Sequence, residues 1–447
     1  MVSISIIMPL YNAGKYLKES LKSVQNQTFA DYELICINDA STDATMDILQ
    51  SFQREDGRIR IFTNKEHSGA AISRNRGIQE ARGKYITFLD GDDIFEEEML
   101  ECAYGAAETH HTDVIAFGLA QTPSDNIYQK QRVNHSDIFY GRYSDKAFQM
   151  KDYMPYEFAH FQLCVGAKLI RRDFIVSNHL KFQDLSCAND VYFICMAILL
   201  AEKLLYLRDD RVMVYQREHN EPTRISYDRD PKCTYLAFLH VMEELKNRGK
   251  FSEVQEHYFY RFFLAVRNAL LVCKTEEKAQ LFYQFLQEEG IDAIYPPESE
   301  YYDKLDVFIR NLLIQFKTRE FHSKWYTIRP GLEMQLNQKY NIEALTGLFA
   351  GYKVLNKRVG VWGVGENGIA FLKFCNKNGL NINMVIDKSI QKQGKNVEGY
   401  LIEPPGNMGN RLQVIIVTAR FILESVKSEL AEKDVEVIDI NQFLYLY

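Results

Sequence analysis

Asp90-Gly91-Asp92-Asp93 sets three carboxylates around one glycine, directly after the apolar run Tyr85-Ile86-Thr87-Phe88-Leu89. Grouped carboxylate oxygens suit a hard divalent cation, and such a cation also bridges to phosphate. The run before them is rich in β-branched and aromatic residues and reads as a buried strand. Open α/β sheets place their ligands beyond the C-terminal ends of such strands. Strand alternation predicts that Asp90 and Asp92 point one way and Asp93 the other. The plainer alternative is a polar turn in which Asp93 caps a helix over residues 94–98. Taken alone, the acids favour the turn. Their neighbours in the chain change that.

Three further groups fall at expected strand ends. Tyr11, in Met8-Pro9-Leu10-Tyr11-Asn12, can stack on a planar base or serve as a surface turn residue. Asp39, in Asn38-Asp39-Ala40-Ser41-Thr42-Asp43, can accept hydrogen bonds from a base or ribose, or belong to a helix-capping turn. His67-Ser68-Gly69-Ala70 begins a helix that carries Arg74 and Arg76. Helix N-termini favour anions, and Arg74 presents a fork suited to phosphate or carboxylate; a solvated face is the alternative for both arginines. Set in order along one sheet edge, the four groups describe a crevice for a base, a diphosphate and a cation.

The elements that must hold them alternate short apolar runs with helical patterns, the signature of strand–helix–strand units. The spacing predicts strands over 4–8 (ended by Pro9), 34–37, 58–62, 85–89 and 113–117. Helices are expected over 16–24, from Thr42 or Asp43 through Leu49, and over 70–82. Order weakens from Gln121 to about Met154 and returns over 163–174; Asn189-Asp190 then opens an apolar helix through Leu200. Extended segments are expected over 204–216. From Asp230 to Gly351 the pattern is helical and rich in aromatics. His257–Val272 reads as a core helix of that module, with an interfacial, membrane-touching helix as the sharper alternative. Alternation resumes near Lys357, with strands expected over 359–362, 382–386, 412–417 and 435–440.

A chain of 447 residues exceeds one core, so two or three domains are expected. Its 46% hydrophobic and 25% charged residues are those of an ordinary globular protein. A net charge of −7 argues against a nucleic-acid partner. Eight scattered cysteines without a Cys-x-x-Cys pair read as reduced thiols of a cytosolic protein, and not as a disulfide or zinc framework. No signal peptide is expected, because residues 2–8 already read as a strand. The most apolar long run, 191–207, is interrupted by Glu202 and Lys203. It falls short of the ~20 apolar residues of a spanning helix.

The pieces Ser5-Ile6-Ile7-Met8-Pro9-Leu10-Tyr11-Asn12, Ile37-Asn38-Asp39-Ala40-Ser41-Thr42-Asp43, Ser73-Arg74-Asn75-Arg76-Gly77-Ile78 and 85–93, in that order, resemble family 2 of the inverting glycosyltransferases with the GT-A fold. The likeness covers residues 1–225 and is strongest before Leu100. Asn38 stands where many members carry an acid, Ala40 where glycine is usual and Ser73 where alanine is usual; Asp39 is kept. The resemblance implies that Pro9, Tyr11 and Asp39 hold the nucleobase and ribose, with Arg74 near the nucleotide. It implies that Asp90 approaches the ribose and that Asp92, of the Asp-x-Asp motif, ligates Mn²⁺ or Mg²⁺ bridging the diphosphate. Asp93 would support either. In the family an acid-containing pair at a helix start supplies the catalytic base. Asn189-Asp190 is the matching pair here, which makes Asp190 the base and leaves Asp184 in reserve. Residues 215–219 with 223–226 are similar to the family's closing segment, which folds over the diphosphate.

The implied reaction is direct displacement at an anomeric carbon. Asp190 takes the acceptor proton, while the cation stabilises the departing nucleoside diphosphate. The resemblance implies a nucleotide-sugar donor, commonly a UDP-sugar, and a glycan or lipid-linked acceptor. It points to surface polysaccharide synthesis on the cytoplasmic side, and allows peripheral membrane contact and an oligomer. Further on, Val361-Trp362-Gly363-Val364-Gly365-Glu366-Asn367-Gly368 ends a strand and opens a helix, and Asp387 closes the next strand. That is the dinucleotide fingerprint in its required context, or glycines that only pack helix on strand. The segment holds half of a dinucleotide fold, so a regulatory, scaffolding or assembly role is expected there.

The expected architecture is α/β: a GT-A type mixed sheet over 1–228, a helical module over 229–355 and a small Rossmann-like α/β domain over 356–447. Three rivals stand beside the transferase. One is a non-catalytic sugar-nucleotide-binding scaffold, and another an oxidoreductase using the C-terminal domain. The third, a sugar nucleotidyltransferase, needs an early glycine-rich loop where Tyr11-Asn12-Ala13-Gly14 offers one glycine.

Overall fold

The computed structural model describes residues 2–122, 146–152, 158, 161, 163–207, 209, 211–217, 230–273, 275–294, 342–409, 411–418 and 423–440. The expected closing segment beyond Arg217 lies outside the described residues. The chain divides into two compact units, Met1–Lys274 and Thr275–Tyr447.

In the first unit the strands are β1 (Ile4–Leu10), β2 (Tyr32–Asn38), β3 (Ile59–Thr63), β4 (Tyr85–Phe88) and β5 (Ile94–Phe95). They continue with β6 (Val114–Ala116), β7 (Gly118–Thr122), β8 (Lys168–Arg171), β9 (Leu204–Tyr206) and β10 (Met213–Arg217). Seven of them form one sheet in the order β3-β2-β1-β4-β8-β6-β9. The first four run parallel, and β8 is antiparallel to both β4 and β6, which makes the sheet mixed. A smaller sheet of order β5-β10-β7 sits beside it in the chain's topology.

Both faces of the large sheet are covered, which is why its parallel strands read as continuous apolar runs. One face packs Ile6, Met8, Leu34, Cys36, Tyr85 and Leu169 against α1 (Leu17–Gln25), α2 (Thr45–Glu55) and α4 (Met99–His110). The opposite face carries Ile7 and Phe88 under α3 (Ala70–Glu80) and, beyond the short α5 (Arg172–Ser177), under α6 (Val191–Leu200). Helix α6 is apolar on every side because α7 (Lys232–Asn247) covers it from outside. Next comes α8 (Phe251–Val272), whose Tyr258, Phe259, Phe262 and Phe263 are buried. Those rings serve the core, as the bland reading of His257–Val272 expects. Among the described residues no helix is long and apolar enough to cross a membrane.

Two local expectations fail for physical reasons. Pro9 does not end β1, which pairs with β2 through Leu10↔Asn38. Its missing N–H falls on the β4 side, where pairing stops at Ile7↔Phe88, so no ladder bond is lost. Nor does Asp93 cap a helix. Ile94–Phe95 instead pairs with Val214 and Tyr215 of β10, and the next helix starts at Met99.

Helix α3 reaches its strand through Gly77, where an added Cβ would stand 2.3 Å from Ile7 Cγ2. Gly77→Ala therefore lifts the helix off the sheet, an overpacking cost of about 1–3 kcal/mol. The expected outcome is a lowered melting temperature, checked by thermal unfolding.

The second unit contains α9 (Glu276–Phe285), α10 (Ile291–Ile294) and α11 (Ile342–Val354). Its strands are β11 (Val359–Trp362), β12 (Met384–Ile386), β13 (Asn396–Val397), β14 (Tyr400–Glu403), β15 (Val414–Val417) and β16 (Glu436–Asp439). They order as β13-β14-β12-β11-β15-β16, parallel throughout except the β13–β14 pair. Apart from β13, that is the order of a doubly wound sheet. Asp387 is buried at the end of β12, where it accepts from the Val364 amide at 2.7 Å and from the Ser389 amide at 2.8 Å. The acid of the fingerprint is thus bonded to the glycine-rich loop itself.

Candidate active site

The loops after β1 and β2 are laced together by short polar side chains. The Asn12 amide donates to Ser41 Oγ at 3.0 Å, Ala13 to Thr45 Oγ1 at 2.9 Å and Gly14 to Asp43 Oδ2 at 2.9 Å. This lacing holds the half-exposed Tyr11 ring outward, stacked on His67 with centroids 3.7 Å apart. His67 in turn meets Asp39 Oδ2 through Nδ1 at 2.8 Å. The Asp39 carboxylate, buried at the end of β2, also accepts from Asn64 Nδ2 at 2.6 Å and from the Gly69 amide at 2.8 Å. Burial alone would raise its pKa. The bonds from Asn64, Ser68 and Gly69 and the nearby His67 outweigh that and hold it below the usual carboxylate range. Asp39 is therefore the anchor for the start of α3.

The acid turn follows β4. The Asp93 amide donates to the Asp90 carbonyl at 3.1 Å, and Gly91 lies so close to the β1 loop that a Cβ would meet Leu10 at 2.4 Å. Strand alternation no longer applies in a turn, yet the division it suggested is present. Asp90 and Asp92 keep partial exposure, while Asp93 is buried and accepts the Arg217 amide at 3.3 Å. The Arg217 side chain is folded under the turn: Nε donates to the Asp92 carbonyl at 3.2 Å, the guanidinium lies over Tyr16, and its far end pairs with Glu19.

Arg74 joins this turn to the other wall. It is buried, against the solvated-face alternative, with Nη2 2.7 Å from Asp90 and Nη1 3.5 Å from Asn189 Oδ1. Its Nε is buried without a hydrogen-bond partner among the described residues. Arg76 turns the other way and holds the loop before α3 through the Thr63 carbonyl and Asn64. Asn75 exchanges two 2.8 Å bonds with the Phe182 backbone, which ties α3 to the segment leading into α6.

Asp190 occupies the position before α6 but makes no capping bond to its first turn. Burial raises its carboxyl pKa, and Asp90 adds to the rise. Arg74, its own backbone and Lys168 pull the other way without cancelling it. For Arg74 burial opposes the charge, yet Asp90 and Asp190 outweigh it and raise the guanidinium pKa. Asp184 stands exposed on the approach segment.

Arg74 of α3 thus joins Asp90 to the Asn189–Asp190 start of α6, and Asp39 is tied to the start of the same helix. A raised carboxylate beside a paired guanidinium can accept a proton near neutral pH. Asp90 and Asp92 offer only oxygen donors, and among the described residues no three His, Cys, Asp or Glu side chains gather to hold a metal by themselves. Such a set fits a hard cation that takes its other ligands from water and a diphosphate; it does not fit a zinc site. Sequence reasoning missed His67, Lys168 and Arg217. For Arg217, the signal was the Tyr215-Gln216-Arg217 end of a strand, read only as the start of a closing loop.

The family model for glycosyl transferase family 2 matches residues 5–175. Glycosyltransferase GlyG of Streptococcus pneumoniae is 29% identical over 238 residues, 50% of this chain and 74% of that protein. The cholesterol galactosyltransferase of Borreliella burgdorferi is 30% identical over 267 residues, 58% of this chain and 72% of that protein. Among solved structures, S. aureus TarS 1-349 in complex with UDP-GlcNAc aligns with 70% of this chain and 87% of its own, at a TM-score of 0.58 and 21% identity. At that identity the likeness speaks for the fold.

Proposed function

The chain belongs to glycosyl transferase family 2, and on that premise we propose that it moves a sugar from a nucleotide-sugar, a UDP-sugar first among them, to a hydroxyl of a glycan or lipid-linked acceptor, with inversion. The observation that carries the reading is Arg74. One buried guanidinium is bonded to Asp90 on the nucleotide side and reaches Asn189, next to Asp190, on the acceptor side.

Tyr11, beside Pro9, is the stacking surface for the base, and Asp39 sets its edge through the loop that it anchors. Arg74 and Asp90 orient the ribose and phosphates. Asp190 accepts the acceptor hydroxyl's proton as that oxygen attacks the anomeric carbon and the nucleoside diphosphate departs on the opposite side. Asp92 would hold a Mn²⁺ or Mg²⁺ ion, whose chemistry is to neutralise charge on the leaving diphosphate. The relatives' roles support a place in surface glycan or glycolipid synthesis.

Thermal unfolding with UDP-, GDP- and dTDP-sugars, with and without Mn²⁺, tests this on wild type and Asp92→Ala. One nucleotide class should stabilise the wild type, by about 2.7 kcal/mol at a hundredfold excess over Kd. The metal-dependent part should vanish in Asp92→Ala. Equal stabilisation of both proteins would remove Asp92 from the metal role, and no response to any nucleotide would remove the donor assignment.

A further inference from the structure

Lys168 is the first residue of β8, and its side chain is 1% exposed. Its register fixes where the chain can go. Thr87 pairs with Leu169 and Ile86 with Ile170, so Lys168 follows Phe88 onto the sheet face that α6 covers. Phe88 meets Phe182 and Phe193 there, at centroid distances of 5.3 and 5.8 Å. Among the described residues the ammonium has one hydrogen bond, to the Cys164 carbonyl at 3.2 Å. A buried ammonium with one neutral acceptor is costly, and a Met or Leu would fill the space without that cost. The fold alone does not call for a charge.

The groups facing this position supply a reason. From the turn before β8, Cys164 is a thiol whose pKa burial pushes up to about 11, so it brings no negative charge at neutral pH. Cys195 of α6, within electrostatic range of Asp190 and Arg261, is likewise kept protonated by burial, with a pKa of about 12. Arg261 of α8 is a second cation in range, and burial pulls the Lys168 pKa down to about 8. Asp90, Asp93 and Arg74 line the crevice side. The carboxylate within electrostatic reach of Lys168 is Asp190. We propose that Lys168 is a positioning residue: a buried ammonium on the sheet face that α6 covers, which together with Arg74 favours the ionised form of the Asp190 carboxylate at the start of that helix, without touching either substrate.

This rests on the reading of Asp190 as the base, and the test separates the two. Release of UDP from UDP-GlcNAc, with water as acceptor, is followed against pH for wild type, Lys168→Met and Lys168→Arg. In Lys168→Met the acid limb should move up by about one pH unit, a tenfold loss below neutrality. The rates should converge in alkali, where Asp190 is ionised in either protein, and Lys168→Arg should restore the limb. A purely structural lysine would lower the rate at every pH without moving the limb, and that result overturns the proposal. Melting temperatures give a readout free of activity. Lys168→Met should raise the melting temperature more in an Asp190→Asn background than in wild type, because the ammonium has then lost its counter-charge. Equal shifts in both backgrounds overturn the pairing. Should Met at this site prevent folding, Lys168→Gln keeps the bond to the Cys164 carbonyl and repeats both measurements. If Asp190→Asn retains full turnover, the base assignment falls while the melting cycle still reports on the pair.

Discussion

Asp190→Asn should lose transfer by about 10²–10⁴-fold, the contribution of a positioned general base, while UDP binding stays within a factor of two. The substitution keeps the side chain's shape at the start of α6, and the native carboxylate makes no capping bond that the amide would have to replace. What disappears is the acceptor for the proton. In the wild type the acid limb of the rate profile should lie above the ordinary aspartate range, because burial raises this carboxyl. Activity then falls as pH drops through that raised pKa and the base becomes protonated. Rates from the UDP released, with equilibrium titration of UDP alongside, check both halves. A non-catalytic nucleotide-binding scaffold predicts unchanged binding and no transfer from either protein. Wild-type rates in the variant would send the role to another group.

The parallel half of the sheet could be read from the chain because each strand is a continuous apolar run with polar residues just past the end. Asp39 and Asp90 stand just past such ends and Arg74 on the helix after β3; Asp39 accepts from the start of α3 and Arg74 pairs with Asp90. Strands β5 and β7 were missed. β5 has two residues, and both strands are defined by β10, more than ninety positions away, so no local period announces them. Lys168 was invisible for another reason. In Ala167-Lys168-Leu169-Ile170-Arg171 a lysine alternating with leucine and arginine looks like a strand's solvent side, and only the covering helix α6 shows that this side is interior. Arg217 was missed because nothing in sequence tells a strand-end arginine whether to reach outward or to fold beneath a neighbouring turn.

Asp39 illustrates a subtler gap. Its type and position suggested a direct contact to a base. In the structure its oxygens are engaged by Asn64, Ser68, Gly69 and His67, so its first task is to fix the 64–69 loop and the start of α3. A base bound at Tyr11 would find His67 stacked on that ring. The proposed donor site thus draws on the loop as much as on the strand end.

Arg74→Ala should be the most damaging single change to both stability and transfer. The guanidinium is buried between Asp90 and the Asn189–Asp190 start of α6. Removing it leaves two neighbouring carboxylates without their shared cation and opens a void beside Phe182, over whose ring it lies at 5.5 Å. Breaking such a buried pair costs roughly 3–5 kcal/mol, although Asp90, with its side chain 43% exposed, can rehydrate and bring the loss to the lower end. The kinetic consequence follows from the order of the forces on Asp190, among which Arg74 is the strongest that favours ionisation. Without it the Asp190 pKa rises further than in Lys168→Met, so the acid limb moves further toward alkali. On the proposed reading nucleotide affinity falls as well, because the guanidinium that holds Asp90 to α3 is gone. Arg74→Lys separates these effects. It restores a charge and so returns most of the limb and the stability, but a point ammonium cannot span Asp90 and Asn189 as a planar fork does. Affinity for UDP should therefore stay depressed in Arg74→Lys even where its pH profile is close to wild type. A lysine variant with full affinity would show that charge alone, and not the bridge between the two walls, is what this position supplies.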